Sequence, residues 1–224
     1  MPNQSQQEDK RTFLELDGLS FHRRAHLDAY ATALELLQSD ASRGRLIDLG
    51  AGSGYTSYQL ARAGFDVVAL DVHADQFVPQ DIPFLQHDLN QRLPLQDAEA
   101  DAVLALEIIE HLENPRYFLR EIARVLRPGG ALVLSTPNIV SLKSRWRFLR
   151  RTEFHLFYNQ KHRTNDRFCE AASGHITPLL PWLLEIFLED AGLELQQKYY
   201  TRTKRLGLRS ALFSDNAILK ALRR

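Results

Sequence analysis

Four side chains could move a proton or hold a cation: Glu107, Glu110, His111 and, further along the chain, His175. The first three stand at i, i+3 and i+4, a spacing that places them on one face of a helical turn. Histidine is the side chain whose ordinary pKa lies nearest neutrality, so His111 and His175 are the candidate general bases. Two carboxylates with one or two imidazoles also form a donor set, one that suits manganese or zinc better than magnesium. Plainer uses exist: His111 as a hydrogen bond at a helix start, His175 as a linker side chain.

A second group of residues is built to bind. The stretch Arg45-Leu46-Ile47-Asp48-Leu49-Gly50-Ala51-Gly52-Ser53-Gly54 reads as a short buried strand carrying an acid, then a glycine-rich turn. A helix from Tyr55 to Ala63 follows, closed by Gly64. Glycine supplies positive φ and lets a ligand approach the backbone, and the helix start offers free N–H groups. Phe65 to Asp71 repeats the pattern of an apolar strand ending in an acid. In a doubly wound sheet such an acid reaches ribose hydroxyls. A nicotinamide-dependent oxidoreductase would also do this, but its Gly-x-Gly-x-x-Gly fingerprint needs glycine where Tyr55 stands.

The elements that must position these groups alternate between strand and helix. Ala25 to Gln38 is predicted as a helix with Leu27, Tyr30, Ala31, Leu34 and Leu37 on its buried side. Val72 to Pro83 is a loop or short helix, and Phe84 to Asn90 a third strand with its exit. Asp101 to Glu107, continuously apolar, is a central parallel strand. Asn114 and Pro115 start a helix as N-cap and first residue, with Phe118, Ile122, Val125 and Leu126 as its stripe and Pro128-Gly129-Gly130 as its end. Ala131 to Thr136 is the fifth strand, Ser141 to Arg151 a basic helix, and the run into Ala191 another helix. Leu193 to Thr201 is the sixth strand. Beyond it the pattern weakens: Asn216 to Arg224 reads as a basic helix, and either Arg209 to Ser214 is a short seventh strand or this edge of the sheet is incomplete.

The order Asp-x-Gly-x-Gly-x-Gly from Asp48, then Leu106-Glu107-Ile108-Ile109-Glu110-His111-Leu112, Arg124-Val125-Leu126-Arg127-Pro128-Gly129-Gly130 and Thr136-Pro137-Asn138, resembles class I S-adenosylmethionine-dependent methyltransferases. The branch is that of ubiquinone-biosynthesis O-methyltransferases and bacterial methyltransferases of sugars, lipids and secondary metabolites. The resemblance implies a Rossmann-like α/β fold: a doubly wound, mostly parallel sheet with helices on both faces and a cap insertion after the fifth strand. It implies S-adenosyl-L-methionine bound by Asp48, Gly50, Ala51, Gly52, Gly54, Asp71, Asp88, Leu89 and Leu106, with Asp71 on the ribose and Asp88 at the adenine. A turn-capping role is the alternative for Asp88. In some relatives a Glu-x-x-Glu-His arrangement with a distant histidine binds a divalent cation. Glu107, Glu110, His111 and His175 are its counterparts, and a metal is the less favoured reading. The acceptor implied is a small or lipid-linked hydroxyl compound; a non-catalytic cofactor-binding module is the alternative.

Composition bounds the rest. The 224 residues, 44% hydrophobic and 25% charged, suit one soluble domain over 13–224, after a polar, disordered 1–12. The cap insertion falls at about 139–177. One cysteine, no signal-peptide core and no apolar run of membrane-spanning length point to the cytoplasm. Net charge is zero, yet residues 1–142 carry 12 Lys and Arg against 20 Asp and Glu, while 143–224 carry 16 against 8. Lys143, Arg145, Arg147, Arg150 and Arg151, interleaved with Leu142, Trp146 and Leu149 and followed by Phe154, Leu156, Phe157 and Tyr158, suit an anionic or lipid-linked substrate or a peripheral membrane contact. No RNA- or DNA-binding motif appears, so no nucleic-acid partner is expected. Oligomeric state is left open.

Overall fold

The computed structural model describes residues 13–23, 25, 27–39, 43–155, 157, 174–201 and 209–224. The proposed tail at 1–12, and Leu156 and Tyr158 of the cap, lie outside the described residues. The chain opens with a hairpin, β1 (Phe13–Leu16) and β2 (Leu19–His22), turned by Asp17 and Gly18 at φ 50° and 80°. Positive φ at both central residues is the turn whose twist matches paired strands. The main body then runs α1 (Leu27–Gln38), β3 (Arg45–Leu49), α2 (Tyr55–Arg62), β4 (Asp66–Asp71), β5 (Phe84–Gln86), β6 (Ala100–Leu106), α3 (Pro115–Val125), β7 (Leu126–Pro137), α4 (Leu142–Arg151), α5 (Pro181–Asp190), β8 (Leu193–Tyr200) and β9 (Asn216–Arg223).

The sheet order is β5-β4-β3-β6-β7-β9-β8. The first five strands are parallel, and β9 runs antiparallel between β7 and β8. Helices cover both faces, each over its own core. Alternation along the strands deals the side chains out. Ile47, Leu49, Val103 and Ala105 join Phe118, Leu119, Ile122, Leu184 and Leu188 on one face. Leu46, Ala102, Leu104 and Leu106 join Ala29, Tyr30, Leu37 and Leu60 on the other. The chain leaves β3 for β4 on one side and later returns to β6 on the other, so a crevice opens at the carboxyl ends of β3 and β6, where open α/β sheets hold ligands.

Three expectations change. The buried side of α1 is Ala29, Tyr30, Thr32, Ala33, Leu36 and Leu37, while Leu27 is 47% exposed, because the helix lies flat along β6, β7 and β9. Helix α3 ends at Val125, three residues before Pro128, because Leu126 already pairs with Ala100 in the sheet. The largest correction is β9. Asn216–Arg223 is a full strand, paired with β7 over Asn216 to Leu222, and Ala211 to Phe213 form only a turn. Ala217, Ile218, Leu219 and Ala221 are at most 4% exposed, covered on both faces. A strand buried on both faces has no alternation to betray it. Lys220, one of the basic residues of this stretch, is itself buried and donates its Nζ to Leu36 O at 3.0 Å.

Candidate active site

The glycine turn follows directly from β3. Gly50, Gly52 and Gly54 all have positive φ, at 77°, 55° and 84°. A Cβ on Gly50 would sit 2.8 Å from Ile108, and one on Gly54 would sit 2.6 Å from Phe77 and 2.7 Å from Pro79. The turn is held by β4: Gly50 and Ala51 both donate their N–H to Leu70 O, and Gly52 donates to Asp71 Oδ2 at 2.8 Å. Asp71 Oδ1 accepts from His73 N at 3.0 Å. Asp48, 2% exposed, accepts hydroxyl bonds from Ser57 at 2.6 Å and Thr56 at 3.2 Å. Burial is the main reason its pKa rises to about 6, with the Asp71 charge adding to it and the hydroxyls opposing.

Over this turn lies a small cleft, partly open to solvent. Asp48, Gly50, Ala51, Gly52 and Leu106 line it, with Ser53, Tyr55 and Thr56 from the start of α2. Gly54 offers no capping side chain at that helix start, and the backbone of Ser57 in its first turn bonds to Asp48. Asp71 adjoins the cleft through Gly52. Asp88 and Leu89 are not in its lining. The Asp88 carboxylate accepts from Asn90 N and Nδ2 at 2.9 and 3.0 Å, and Leu89 is buried in the core.

The opposite wall comes from the hairpin, which the sequence reading passed over, and from the stretch it read as the first helix. His22, Ala25 and Tyr30 close the cleft from the N-terminal side. The hairpin is fastened there by Ser53 Oγ donating to His22 O at 2.9 Å, and by Phe21, fully buried against the rings of Tyr55 and Tyr58. Its signal was present: alternating apolar residues around Asp17-Gly18.

The proton-moving group gathers beyond β6. Glu107 takes φ 52°, which turns its side chain away from the other three. Its oxygens accept from Ser135 Oγ at 2.6 Å and Asn216 Nδ2 at 2.5 Å, and burial pushes its pKa up to about 7. Glu110, His111 and His175 come together, their ligand atoms within 4.8 Å of one another. The imidazole rings meet edge to face, 4.7 Å between centroids. Nδ1 of His111 lies 3.0 Å from Gly174 O. A carbonyl only accepts, so this nitrogen carries the proton and Nε2 holds the basic lone pair. The strap carrying His175 is fixed by Ile176 N and Thr177 N, both donating to Glu110 O at 2.9 Å.

Electrostatics single this cluster out. Glu110 is 0% exposed, and burial first, then the charge of Glu107, holds its carboxyl well above the ordinary range. Thr136 donates to its Oε2 at 3.2 Å, while the buried Oε1 has no hydrogen-bond partner. Burial, then the neighbouring His111, lowers the His175 pKa to about 4, so it is neutral at pH 7. Phe157, just past α4, packs its ring 5.2 Å from that of His175 and closes the cluster from the cap side. One carboxylate oxygen, with no hydrogen-bond partner, and two imidazoles fit a divalent cation of the zinc or manganese kind. Glu107 stands outside that set as the side chains are arranged.

A mostly parallel seven-stranded sheet with an acid-led glycine turn at its switch point defines a Rossmann-like methyltransferase fold. Residues 47–134 match the methyltransferase domain family. A probable S-adenosylmethionine-dependent methyltransferase of Mycobacterium tuberculosis is 33% identical over 138 residues, covering 59% of this chain and 48% of that protein. A ubiquinone biosynthesis O-methyltransferase of Maricaulis maris is 34% identical over 107 residues, covering 43% and 42%. An S-adenosylmethionine-dependent methyltransferase structure from Archaeoglobus fulgidus superposes with a TM-score of 0.65 at 18% identity, over 87% of this chain and 92% of that one, a likeness of fold. The aligned stretch spans less than half the length of these curated relatives. The matching stretch is thus similar to methyltransferase domains, and the relatives that share it include proteins named S-adenosylmethionine-dependent methyltransferases. Among the described residues no helix is long and apolar enough to cross a membrane.

Proposed function

We propose that the protein transfers a methyl group to a hydroxyl oxygen of a small or lipid-linked acceptor. The observation that carries this reading is the pairing of two sites at neighbouring strand ends: the glycine cleft after β3 and the buried Glu110–His111–His175 cluster after β6. S-adenosylmethionine, when bound, supplies a methyl already activated by its sulfonium, so the residues' task is positioning and proton removal. Asp71 and the turn hold the cofactor's ribose side, and Asp48 and the start of α2 lie beneath it. His111 Nε2 accepts the acceptor's hydroxyl proton, with Nδ1–H anchored on Gly174 O. Phe157 and His175 shield that proton transfer from water.

A metal-assisted version is favoured by one observation, the orphaned Oε1 of Glu110 facing two imidazoles. Glu110, His111 and His175 would hold the ion, which would lower the acceptor hydroxyl's pKa as a Lewis acid. The deciding experiment screens hydroxylated phenols, sugars and lipid-linked compounds for S-adenosylhomocysteine release. It then compares wild type with His111→Ala, with and without chelator. Turnover that falls by ~10²–10⁴ in His111→Ala, with cofactor affinity intact and chelator without effect, supports the histidine base. Loss on chelation, restored by manganese or zinc, supports the metal. Cofactor binding with no turnover on any acceptor would replace the reading with a binding module. Calorimetric binding of NADH in place of S-adenosylhomocysteine would overturn it.

A further inference from the structure

Helix α4 wears its apolar residues on the outside. Of Leu142–Arg151 only Ser144 is buried. At 3.6 residues per turn, Leu142, Trp146 and Leu149 lie opposite Ser144 and form one outward ridge. They are 47%, 61% and 77% exposed. Arg145 flanks the ridge on one side, Lys143 and Arg150 on the other, and the helix has no acidic residue. Arg150 lays its guanidinium 5.2 Å over the Trp146 ring. Among the described residues, the acids paired with the helix are Asp215, 3.4 Å from Lys143, and Glu153, 3.2 Å from Arg147, the latter behind the ridge. Leu142 N donates to Leu212 O, which brings the exposed Leu212 and Phe213 to the start of the same ridge.

A helix that packs on a core turns its apolar stripe inward; this one turns Ser144 inward and Leu142, Trp146 and Leu149 outward, with Phe148 stacked on Phe154. An apolar ridge between rows of arginine and lysine, with tryptophan at its centre, matches a surface that is negatively charged outside and apolar beneath. A soluble anion would use the arginines and leave Leu149 and Trp146 bare. We propose that α4 seats the protein on an anionic lipid bilayer, with Leu142, Trp146 and Leu149 at the boundary between headgroups and acyl chains. Arg145, Arg150 and Lys143 then pair with lipid phosphates, the arginines through forked bonds. Three turns bury little area, so the contact is reversible and salt-sensitive. The helix follows the carboxyl end of β7, and Phe157 beyond it reaches His175. A seated protein therefore presents its candidate site near the membrane plane. The docking does not depend on methyl transfer, and its test reads no turnover.

The test uses the full chain carrying Trp182→Phe, an exposed position, so that Trp146 is the only tryptophan. Vesicles of equal phosphatidylglycerol and phosphatidylcholine are compared with phosphatidylcholine alone, at low and high salt. The expected result is co-sedimentation with the anionic vesicles only, a blue shift of Trp146 emission, and release at high salt. Leu149→Ser and the pair Arg145→Glu with Arg150→Glu should each lower partitioning by at least about tenfold while the melting temperature stays put. No partitioning, equal partitioning onto zwitterionic vesicles, or partitioning unchanged in both variants overturns the proposal. A blue shift that needs no lipid and rises with protein concentration also overturns it, in favour of a second copy or another protein as occupant.

Discussion

Gly52 donates its backbone N–H to the carboxylate of Asp71 at 2.8 Å, so the acid ending β4 fixes the turn that ends β3. Each Asp71 oxygen already holds one backbone N–H and retains capacity for a ligand hydroxyl. Asp71→Ala removes both functions at once. We expect S-adenosylhomocysteine binding to weaken by ~1–3 kcal/mol, the scale of hydrogen bonds to a charged group. Calorimetry checks it. Asp88→Ala serves as the comparison, and we expect a smaller loss, because that exposed carboxylate caps Asn90 and does not brace the glycine turn. Equal losses would put Asp88 at the cofactor after all.

The hairpin gives a second expectation. Its hold on the body runs mainly through Phe21 between Tyr55 and Tyr58, and through Ser53 on His22 O. In a rigid core Phe→Ala costs ~3–5 kcal/mol. Here the hairpin can detach instead, which limits the global loss. Phe21→Ala should therefore shift the melting temperature little, expose 13–22 to proteolysis, and weaken cofactor binding on the order of tenfold through lost preorganisation. A full core-sized loss of stability without any change in binding would mean the hairpin is structural only.

How much of this was legible follows from which forces were local. The turn after β3, the N-cap Asn114 accepting from Tyr117 N, and the continuous run of β6 are set by residues adjacent in the chain, and they stand where their residue types place them. The neutrality of His175 was not legible, since it depends on His111 and Phe157 arriving from elsewhere. Nor was the fate of Glu107: helical spacing put it with Glu110 and His111, but its left-handed φ and Asn216 on β9 draw it aside. With Asn216–Arg224 read as a helix, that partner could not be foreseen. The hairpin is different, because Asp17-Gly18 stated it locally and only the compositional pull of the polar tail obscured it.

Arg124 is the third expectation. It donates to Glu121, Asp97, Leu93 O and Leu95 O, and Glu121 in turn accepts from Leu93 N. These bonds clamp the stretch before β6 onto α3. Hydrogen bonding to Glu121 is the chief cause raising the Arg124 pKa, and its charge helps hold Glu121 low against burial. Removing Arg124 leaves Glu121, 8% exposed, with only the Leu93 N–H and the charge of Arg92 to stabilise its carboxylate. We expect Arg124→Ala to cost ~3–5 kcal/mol in urea unfolding, and Arg124→Lys to recover only part, because a single ammonium cannot fork to all four acceptors. A loss under ~1 kcal/mol would show the network to be solvated.

The last expectation concerns Asp48 and pH. Its pKa rises from 3.8 to about 6 in the folded protein, chiefly through burial. Below pH 3.8 the carboxyl is protonated whether the chain is folded or not, and it makes no difference to stability. Between pH 3.8 and 6 the unfolded chain releases the proton while the fold retains it, so stability falls as pH rises. Above pH 6 both are ionised and the penalty is constant, about 3 kcal/mol at ~1.4 kcal/mol per pH unit. Asp48→Asn cannot ionise, yet its amide oxygen can still accept from Ser57 and Thr56. The variant should lose the decline between pH 4 and 6, and at pH 8 should exceed wild type by ~1–3 kcal/mol, the range allowing for an amide N–H₂ in need of partners. It should also bind S-adenosylhomocysteine more weakly, since Asp48 lines the cleft beneath the glycine turn. Gained stability with lost affinity is the expected sign of a charge kept buried for its ligand. Urea midpoints at pH 4.5, 6 and 8, with calorimetry at pH 8, read both. A variant less stable than wild type at pH 8, with the same slope below pH 6, would mean that the hydroxyls and the turn already stabilise the ionised Asp48 in full.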